Sequence, residues 1–444
     1  MSSDQPVAHP AHRFSTVGIY VQPPTAEQTH YFDFYKDCGY NYIEYCEAGF
    51  ARRPDTLDAY YADFSASVAA AQKKGFKVWI LLLAGMKQWK GPAASGGGAG
   101  TFGVLETEQL NERLTFLRQA VRGLKGADGF QFFAGDPGGD PQGRATIRDC
   151  AAFARQVQSI VREEAPKAAF AVNLWAIAEW AGFPSPFTLD FWQKQVVLSK
   201  ELVAEPGLLG PDCGVIFSMD NYYRSLTLTT YADGGITPEL YPQAQDIRRL
   251  HDRKVKPVLG WPYFLVDECD DGFITPNNVV TKGQSQAETR YIRAIVDHGL
   301  AAGLDGLVTN ASFVAAEPLN IYVFGRMCRD PKLTPGAALD EYAGLIAEDD
   351  SRAALGRVLR FIENNCNWQN SLPKQYRLRD FDVGDLTTAQ AAMDLLGTVV
   401  PRKRARITLP EPPEQYLPRL RRRLETIAAG DIGGPSPHYR PQKP

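Results

Sequence analysis

Ala127-Asp128-Gly129-Phe130-Gln131-Phe132-Phe133-Ala134-Gly135-Asp136-Pro137-Gly138-Gly139-Asp140 is the stretch on which the fold turns. Its first half is a near-continuous apolar run, the pattern of a short parallel strand buried on both faces. Gly135 breaks the run, and two acids follow in a Pro/Gly-rich turn. In β/α architectures the loop at the C-terminal end of a strand is where chemistry gathers. Asp136 and Asp140 therefore stand as candidate functional acids, against the plainer reading of Asp, Pro and Gly as ordinary turn formers.

The same alternation extends in both directions. Residues 14–22 (FSTVGIYVQ), 40–46 (YNYIEYC) and 76–83 (FKVWILLL) read as strands, separated by helices over 25–38 and 57–74. The second helix carries Leu57, Tyr60, Tyr61, Phe64, Val68 and Ala71 at three- and four-residue spacing and stops at Gly75. A third helix over 106–124 leads into the quoted strand, which opens at Asp128 as strand four. Beyond it, helices over 147–164, 189–203, 238–253 and 285–300 alternate with strands over 169–175 (AFAVNLW), 214–219 (GVIFSM), 257–261 (PVLGW) and 305–309 (DGLVT).

Repeated strand–helix units over roughly three hundred residues predict an α/β protein with a TIM (β/α)8 barrel. A doubly wound open sheet is the alternative, disfavoured because no GxGxxG follows the first strand. After Pro331 the pattern is helical without strands: 335–346, 351–364, 387–399 and 415–429. The expected organisation is a disordered tail at 1–13, a barrel domain at 14–331, a helical C-terminal region at 332–432 and a Pro-rich disordered tail at 433–444. The loop 91–100 (GPAASGGGAG) lacks the Gly-Lys-Ser/Thr ending of a phosphate loop. It reads either as a mobile lid or as a surface insertion.

Composition narrows the function. The 444 residues are 44% hydrophobic and 22% charged with a net charge of −3, an ordinary globular balance. The densest basic cluster, 419–423, falls in a helix, so no nucleic-acid partner is expected. Seven scattered cysteines form no CxxC or Cys/His ligand set and suit idle thiols of a reducing compartment. The six histidines show no HExxH pattern, and neither a metal nor another cofactor is expected. Residues 1–13 carry no apolar core of a signal peptide, and the longest apolar run, 78–84, is too short to span a bilayer. A cytoplasmic protein with no membrane partner is the expectation.

A barrel would bring the strand-end residues to one face. Strand two offers Glu44 and Glu47; strand three, Lys87 and Trp89; strand four, Asp136 and Asp140; strand five, Trp175, Glu179 and Trp180. Strand six runs into Asp220, Asn221, Tyr222, Tyr223 and Arg224. Strand seven gives Trp261, Tyr263, Asp267 and Glu268, and strand eight gives Asn310 and Glu317. Aromatic faces and carboxylates together suit sugars, whose rings have apolar faces and hydroxyl rims. Glycoside hydrolysis needs one carboxyl as acid and a second as base or nucleophile. Plainer readings stand beside these: Glu44 and Glu47 as ion-pair partners, 267–271 (DECDD) as a solvated acidic loop, Trp175 and Trp261 as core.

Two stretches resemble the α-glucuronidases that release (4-O-methyl)glucuronic acid from xylan fragments. One is Ala127-Asp128-Gly129-Phe130 with its acidic Pro/Gly loop and Gly143-Arg144. The other is Asn320-Ile321-Tyr322-Val323-Phe324-Gly325-Arg326-Met327, then Asp330-Pro331, Leu333-Thr334 and a helix containing Glu341-Tyr342. The resemblance implies an inverting mechanism, with an acid after strand four and a carboxylate base from strands six and seven. Registered on ADGF, that family's glutamic acid falls on Pro137, which leaves Asp136 as the nearest acid and Asp140 behind it. The base region corresponds to Asp220 or Glu268.

The resulting expectation is a glycoside hydrolase acting on a terminal sugar or uronic acid of an oligosaccharide. Asp136 is the expected acid, with Asp220 or Glu268 as base. Glu44, Lys87, Asp140, Trp175, Asn221, Tyr222, Trp261, Tyr263 and Asn310 are expected to contact the substrate. A catalytically silent sugar-binding barrel, or a lyase, isomerase or epimerase working through Lys87, is the alternative; the chain is compatible with a homodimer.

Overall fold

The structure is a computed structural model that describes residues 13–21, 30–83, 85, 103–135, 138–140, 142–182, 189–205, 207–219, 241–262, 289–310, 318–365 and 379–430. Eight strands close into a barrel: β1 (Thr16–Val21), β2 (Tyr42–Glu47), β3 (Lys77–Leu83), β4 (Gly129–Phe133), β5 (Ala169–Asn173), β6 (Cys213–Ser218), β7 (Val258–Trp261) and β8 (Gly306–Asn310). Every neighbouring pair is parallel, and β8 returns to β1 with Tyr20 opposite Asn310. The predicted (β/α)8 barrel is therefore the observed fold.

The crossovers carry α1 (His30–Cys38), α2 (Leu57–Lys73), α3 (Thr107–Gly123), α4 (Ile147–Glu164), α5 (Leu189–Ala204), α6 (Ala244–Asp252) and α7 (Thr289–Ala302). They lie outside the barrel because one face of each is apolar. In α4 a reciprocal Thr146–Asp149 capping box fixes the start, and Cys150, Phe153, Ala154, Val157 and Val161 are buried. Several boundaries shift by one or two residues, strand five for example ending at Asn173 and not at Trp175; two differences are larger or change a residue's place. Strand two begins at Tyr42 and continues to Glu47, so Glu44 and Glu47 lie within it and not after it. Helix six starts at Ala244 with Gln243 as its N-cap, where the pattern suggested residue 238; residues 241–243 are not helical and 238–240 lie outside the described residues.

Side chains alternate between two buried environments. Tyr42, Cys46, Trp79, Leu81, Phe133, Ala171, Ile216, Leu259, Trp261 and Val308 form a cluster inside the barrel. Ile43, Tyr45, Ile80, Phe132, Val172 and Leu307 belong to the larger core between strands and helices. The floor of the barrel is filled by large rings set against glycines: a Cβ on Gly129 would lie 2.3 Å from the Trp79 ring.

Three strand pairs are clasped at the lower rim by a side chain standing just before the even-numbered strand. Asn41 Oδ1 accepts from Val17 N–H at 2.9 Å, Asp128 Oδ2 from Val78 N–H at 2.9 Å, and Asp305 Oδ2 from Val258 N–H at 2.9 Å. Each clasp satisfies a backbone donor that the ladder leaves unpaired at the strand start.

The chain continues through α8 (Pro318–Arg329), α9 (Pro335–Ile346), α10 (Arg352–Asn364), α11 (Ala389–Gly397) and α12 (Pro413–Ala428). The first of these closes the outer ring against α1: Tyr40 Oη donates to Ile321 O at 2.8 Å, and Phe324 stacks on Tyr40 at 6.3 Å. The helical region is tied to the barrel through α7. Glu363, at 1% side-chain exposure, accepts from Arg290 Nε at 2.9 Å, from Arg290 N–H at 3.0 Å and from Thr289 Oγ1 at 2.7 Å. It thus pairs a buried guanidinium and caps the start of α7 at once. In α12, Arg419 and Arg423 are buried, the former paired with Glu411, so part of the basic cluster is internal. Among the described residues, no helix is long and apolar enough to cross a membrane.

Candidate active site

At the upper end of the barrel, Trp261 is the hub of an aromatic group drawn from four strands. Tyr20 of β1 meets its ring edge-on at 5.9 Å, Phe133 of β4 at 5.5 Å, and Trp175, just beyond β5, at 5.8 Å. Tyr20 and Leu83 are half-buried while the other rings are buried, so solvent reaches this group beside the ends of β1 and β3.

Glu44 lies in the same interior, between Tyr42 and Cys46 in the inward register of β2, and is fully buried. Burial pushes its carboxyl up to about 8, with the Gln131 amide and the Trp261 indole drawing it partly back. Among the described residues, neither carboxyl oxygen closes a hydrogen bond. A short amide relay reaches it from β5. Trp175 N–H donates to Asn173 Oδ1 at 3.0 Å, Asn173 Nδ2 donates to Gln131 Oε1 at 2.9 Å, and the remaining Gln131 Nε2 faces Glu44.

Glu47, three positions on, faces the other way. It accepts from Gly49 N–H and, at 3.1 Å, from Tyr61 Oη of α2, with Arg113 of α3 nearby. Burial raises its pKa, and Arg113 pulls it back. Glu47 serves the strand–helix layer and not the barrel interior.

The turn after β4 is held against the turn after β5 by absence of side chains. A Cβ on Gly135 would lie 2.3 Å from Ala176 Cβ, and one on Gly138 would lie 2.2 Å from Ala134 O and 2.8 Å from Trp180 Nε1. The facing segment bends sharply: Ala176 sits at φ 51°, a left-handed conformation uncommon for a residue with a Cβ. Side chains complete the lock. Glu179 accepts from Gly138 N–H, Trp180 Nε1 donates to Ala134 O at 2.6 Å, and Gln195 of α5 accepts from Ala178 N–H at 3.1 Å. Gly135 and Gly138, on either side of Asp136-Pro137, are thereby fixed.

Asp140 is buried and committed to its own loop. It accepts from Arg144 Nε at 3.0 Å, Arg144 Nη2 at 2.9 Å and Gln142 N–H at 3.1 Å, and Arg144 also reaches Glu106 at 2.9 Å. The Arg144 guanidinium holds the carboxyl below its ordinary value. Asp140 is an ionised loop anchor in this geometry.

The structure thus brings Glu44, Trp175 and Trp261 together and sets Asp140 apart. Asn310 ends β8 opposite Tyr20. Asp136, Asp220 and Glu268, with Lys87, Asn221, Tyr222 and Tyr263, lie outside the described residues, as does the loop 91–100. Sequence reasoning missed Tyr20, Gln131, Phe133 and Asn173. A signal existed for two of them, since a lone amide inside an apolar strand is costly to bury unless it works. Among the described residues, no group of three His, Cys, Asp or Glu could hold a metal ion. The five cysteines among the described residues are buried thiols.

The longer motif of the resemblance is explained by packing. A Cβ on Gly325 would lie 2.5 Å from Cys38 O, Tyr322 packs on Tyr342 at 5.5 Å, and Arg326 Nε donates to Glu341 at 3.1 Å. These residues hold α8 against α1 and α9 and carry no information on substrate.

No protein-family model matches the chain, and no curated protein matches it. Solved structures with a similar fold include glycoside hydrolases. One is a GH138 enzyme targeting pectin rhamnogalacturonan II, at 10% identity and TM-score 0.47 over 80% of this chain and 44% of that one. Another is a variant of the Thermobaculum terrenum O-GlcNAc hydrolase, at 11% identity and TM-score 0.47 over 86% and 75%. A sugar phosphate isomerase/epimerase from Parabacteroides distasonis is similar at 10% identity and TM-score 0.39 over 70% and 96%. The chain spans less than half the length of the first. At such identities the likeness is one of fold alone.

Proposed function

We propose that the chain is a glycoside hydrolase that releases a terminal sugar or uronic acid from an oligosaccharide by paired-carboxylate catalysis with inversion. One observation carries the reading: the turn after β4 is anchored at Gly135 and Gly138, on both sides of Asp136, beside an aromatic wall centred on Trp261. Loops at this end of a barrel carry catalytic groups, and an anchored turn costs no reorganisation during reaction. Asp136 donates the proton to the leaving oxygen, and Asp220 or Glu268 activates water from the opposite face. Trp175 and Trp261 bound the apolar face of the sugar. Lys87, Asn221, Tyr222, Tyr263 and Asn310 meet its hydroxyls, or the carboxylate of a uronic acid.

Hydrolysis of a panel of α- and β-linked aryl glycosides and uronides, run with wild type and Asp136→Asn, tests this. The reading expects release from at least one member and a loss of 10²-fold or more in the variant, the usual weight of a general acid. Equal rates for wild type and variant would remove Asp136 from the chemistry. Retention or inversion at the anomeric carbon, followed by NMR, decides the stereochemistry.

A further inference from the structure

The barrel interior holds an arrangement that folding alone does not explain. Glu44 Oε1 and Oε2, Tyr42 Oη and Gln131 Nε2 are buried, and among the described residues none closes a hydrogen bond of ordinary geometry, although the Gln131 amide and the Trp261 indole are turned toward Glu44. The three side chains converge. Tyr42 and Glu44 are successive inward positions of β2, Gln131 faces Glu44 from β4, and Tyr42 is close enough to Glu44 that the carboxylate helps to raise the phenol's pKa. A buried polar group without a partner is costly, and a leucine at any of these positions would remove that cost. Solvent access lies close by: half-buried Tyr20 is the register partner of Glu44 on β1.

We propose that Glu44, Gln131 and Tyr42 form the buried end of the substrate pocket, where Glu44, as a neutral acid, donates to an uncharged sugar hydroxyl. The inference rests on the glycosidase reading for the identity of the ligand and adds which chemistry is taken at the innermost subsite. Gln131 Oε1 is occupied by Asn173, and its Nε2 offers hydrogens, so the acid's own proton needs an acceptor, which a hydroxyl supplies while donating in return. An anionic group would meet the wrong surroundings. Tyr20, Tyr42 and Cys46 are the titratable side chains turned toward Glu44 on β1 and β2; on β3 the nearest charge is exposed Lys77 at the lower rim. No Arg, His or second acid stands at the described inward positions of β1, β3, β4 and β7.

The pH dependence of binding separates this role from a structural one. A ligand that covers the pocket excludes water and favours the neutral acid further, so affinity falls as pH rises through about 8, where Glu44 ionises. The test is calorimetric and thermal-shift titration of neutral monosaccharides and of free uronates, from pH 6 to 9, on wild type, Glu44→Gln and Glu44→Leu. The expected result is that a neutral sugar binds wild type up to about tenfold more weakly at pH 9 than at pH 6. Glu44→Gln binds with little pH dependence, Glu44→Leu loses tenfold or more at pH 6, and both variants melt no lower than wild type.

A flat wild-type profile, an affinity unchanged in Glu44→Leu, or binding confined to uronates overturns the proposal. No sugar binding at all also overturns it. Sugar binding with these Glu44 effects but no hydrolysis in the aryl glycoside panel leaves the subsite standing and removes the hydrolase reading. Hydrolysis with KM indifferent to Glu44 does the reverse.

Discussion

At the scale of single residues, Glu44 and Gly138 make opposite demands on the fold. Glu44 keeps its proton when buried and titrates near its ordinary value when unfolded. Between those two values the folded state binds the extra proton, so stability is greatest at acid pH and declines as pH rises toward about 8. Glu44→Gln removes the titration. Its stability, measured by denaturant unfolding, should exceed wild type by about 3 kcal/mol at pH 7 and match it near pH 4. A variant that gains nothing at pH 7 would mean that Glu44 is not held protonated. Gly138→Ala places a methyl against Ala134 O and the Trp180 indole. It should cost about 2 kcal/mol and, by moving the turn that bears Asp136, lower kcat more than it raises KM. The sequence showed Gly138 as a turn glycine, but its real constraint comes from Trp180, some forty residues further on. Glu44 and Glu47 likewise looked alike from the sequence, because both faces of a barrel strand are buried and apolarity cannot tell inside from outside.

Among elements, the strand order and nearly every crossover helix were legible, since continuous apolar runs and three-to-four-residue spacing are local signals. The clasps were not. Asp128 read as the opening of strand four, whereas its carboxylate serves Val78 of the neighbouring strand and Gln72 Nε2 of α2 at 2.9 Å. Asp128→Ala should therefore destabilise by about 1–3 kcal/mol through a stranded N–H, and Asp305→Ala by a similar amount. The two sites lie on separate strand pairs, so the double variant should show the sum within about 0.5 kcal/mol. Unfolding of the three variants checks both size and additivity; a markedly smaller double effect would mean that the clasps act as one unit. Where the sequence suggested catalytic acids at strand ends, the structure separates roles by partner. Asp140 is spent on Arg144, Glu47 on Tyr61 and Gly49, and Glu179 on Gly138.

For the whole molecule, the buried Arg290–Glu363 pair makes the helical region part of the barrel's stability. Removing one partner strands a buried charge, so Glu363→Ala should cost about 3–5 kcal/mol, well above the effect of exposed pairs such as Arg53–Asp55. Scanning calorimetry of wild type should give one cooperative transition, with barrel and helical region melting together. Two resolved transitions would show that the pair fastens two independent bodies. The helical character of this region was plain in the sequence; its attachment was not, because Arg290 and Glu363 are seventy-three positions apart and each resembles an ordinary surface charge.

The clasps at the lower rim also divide the barrel into units. Asn41, Asp128 and Asp305 join β1 to β2, β3 to β4 and β7 to β8, and each joint closes inside one strand–helix–strand step. A polypeptide cut between β2 and β3 keeps every donor and acceptor of these joints on the same fragment. A cut between β3 and β4 leaves Asp128 on one piece and Val78 on the other. Circular permutants and split fragments of this chain should therefore reassemble readily when the break falls between clasped pairs and poorly when it falls within one.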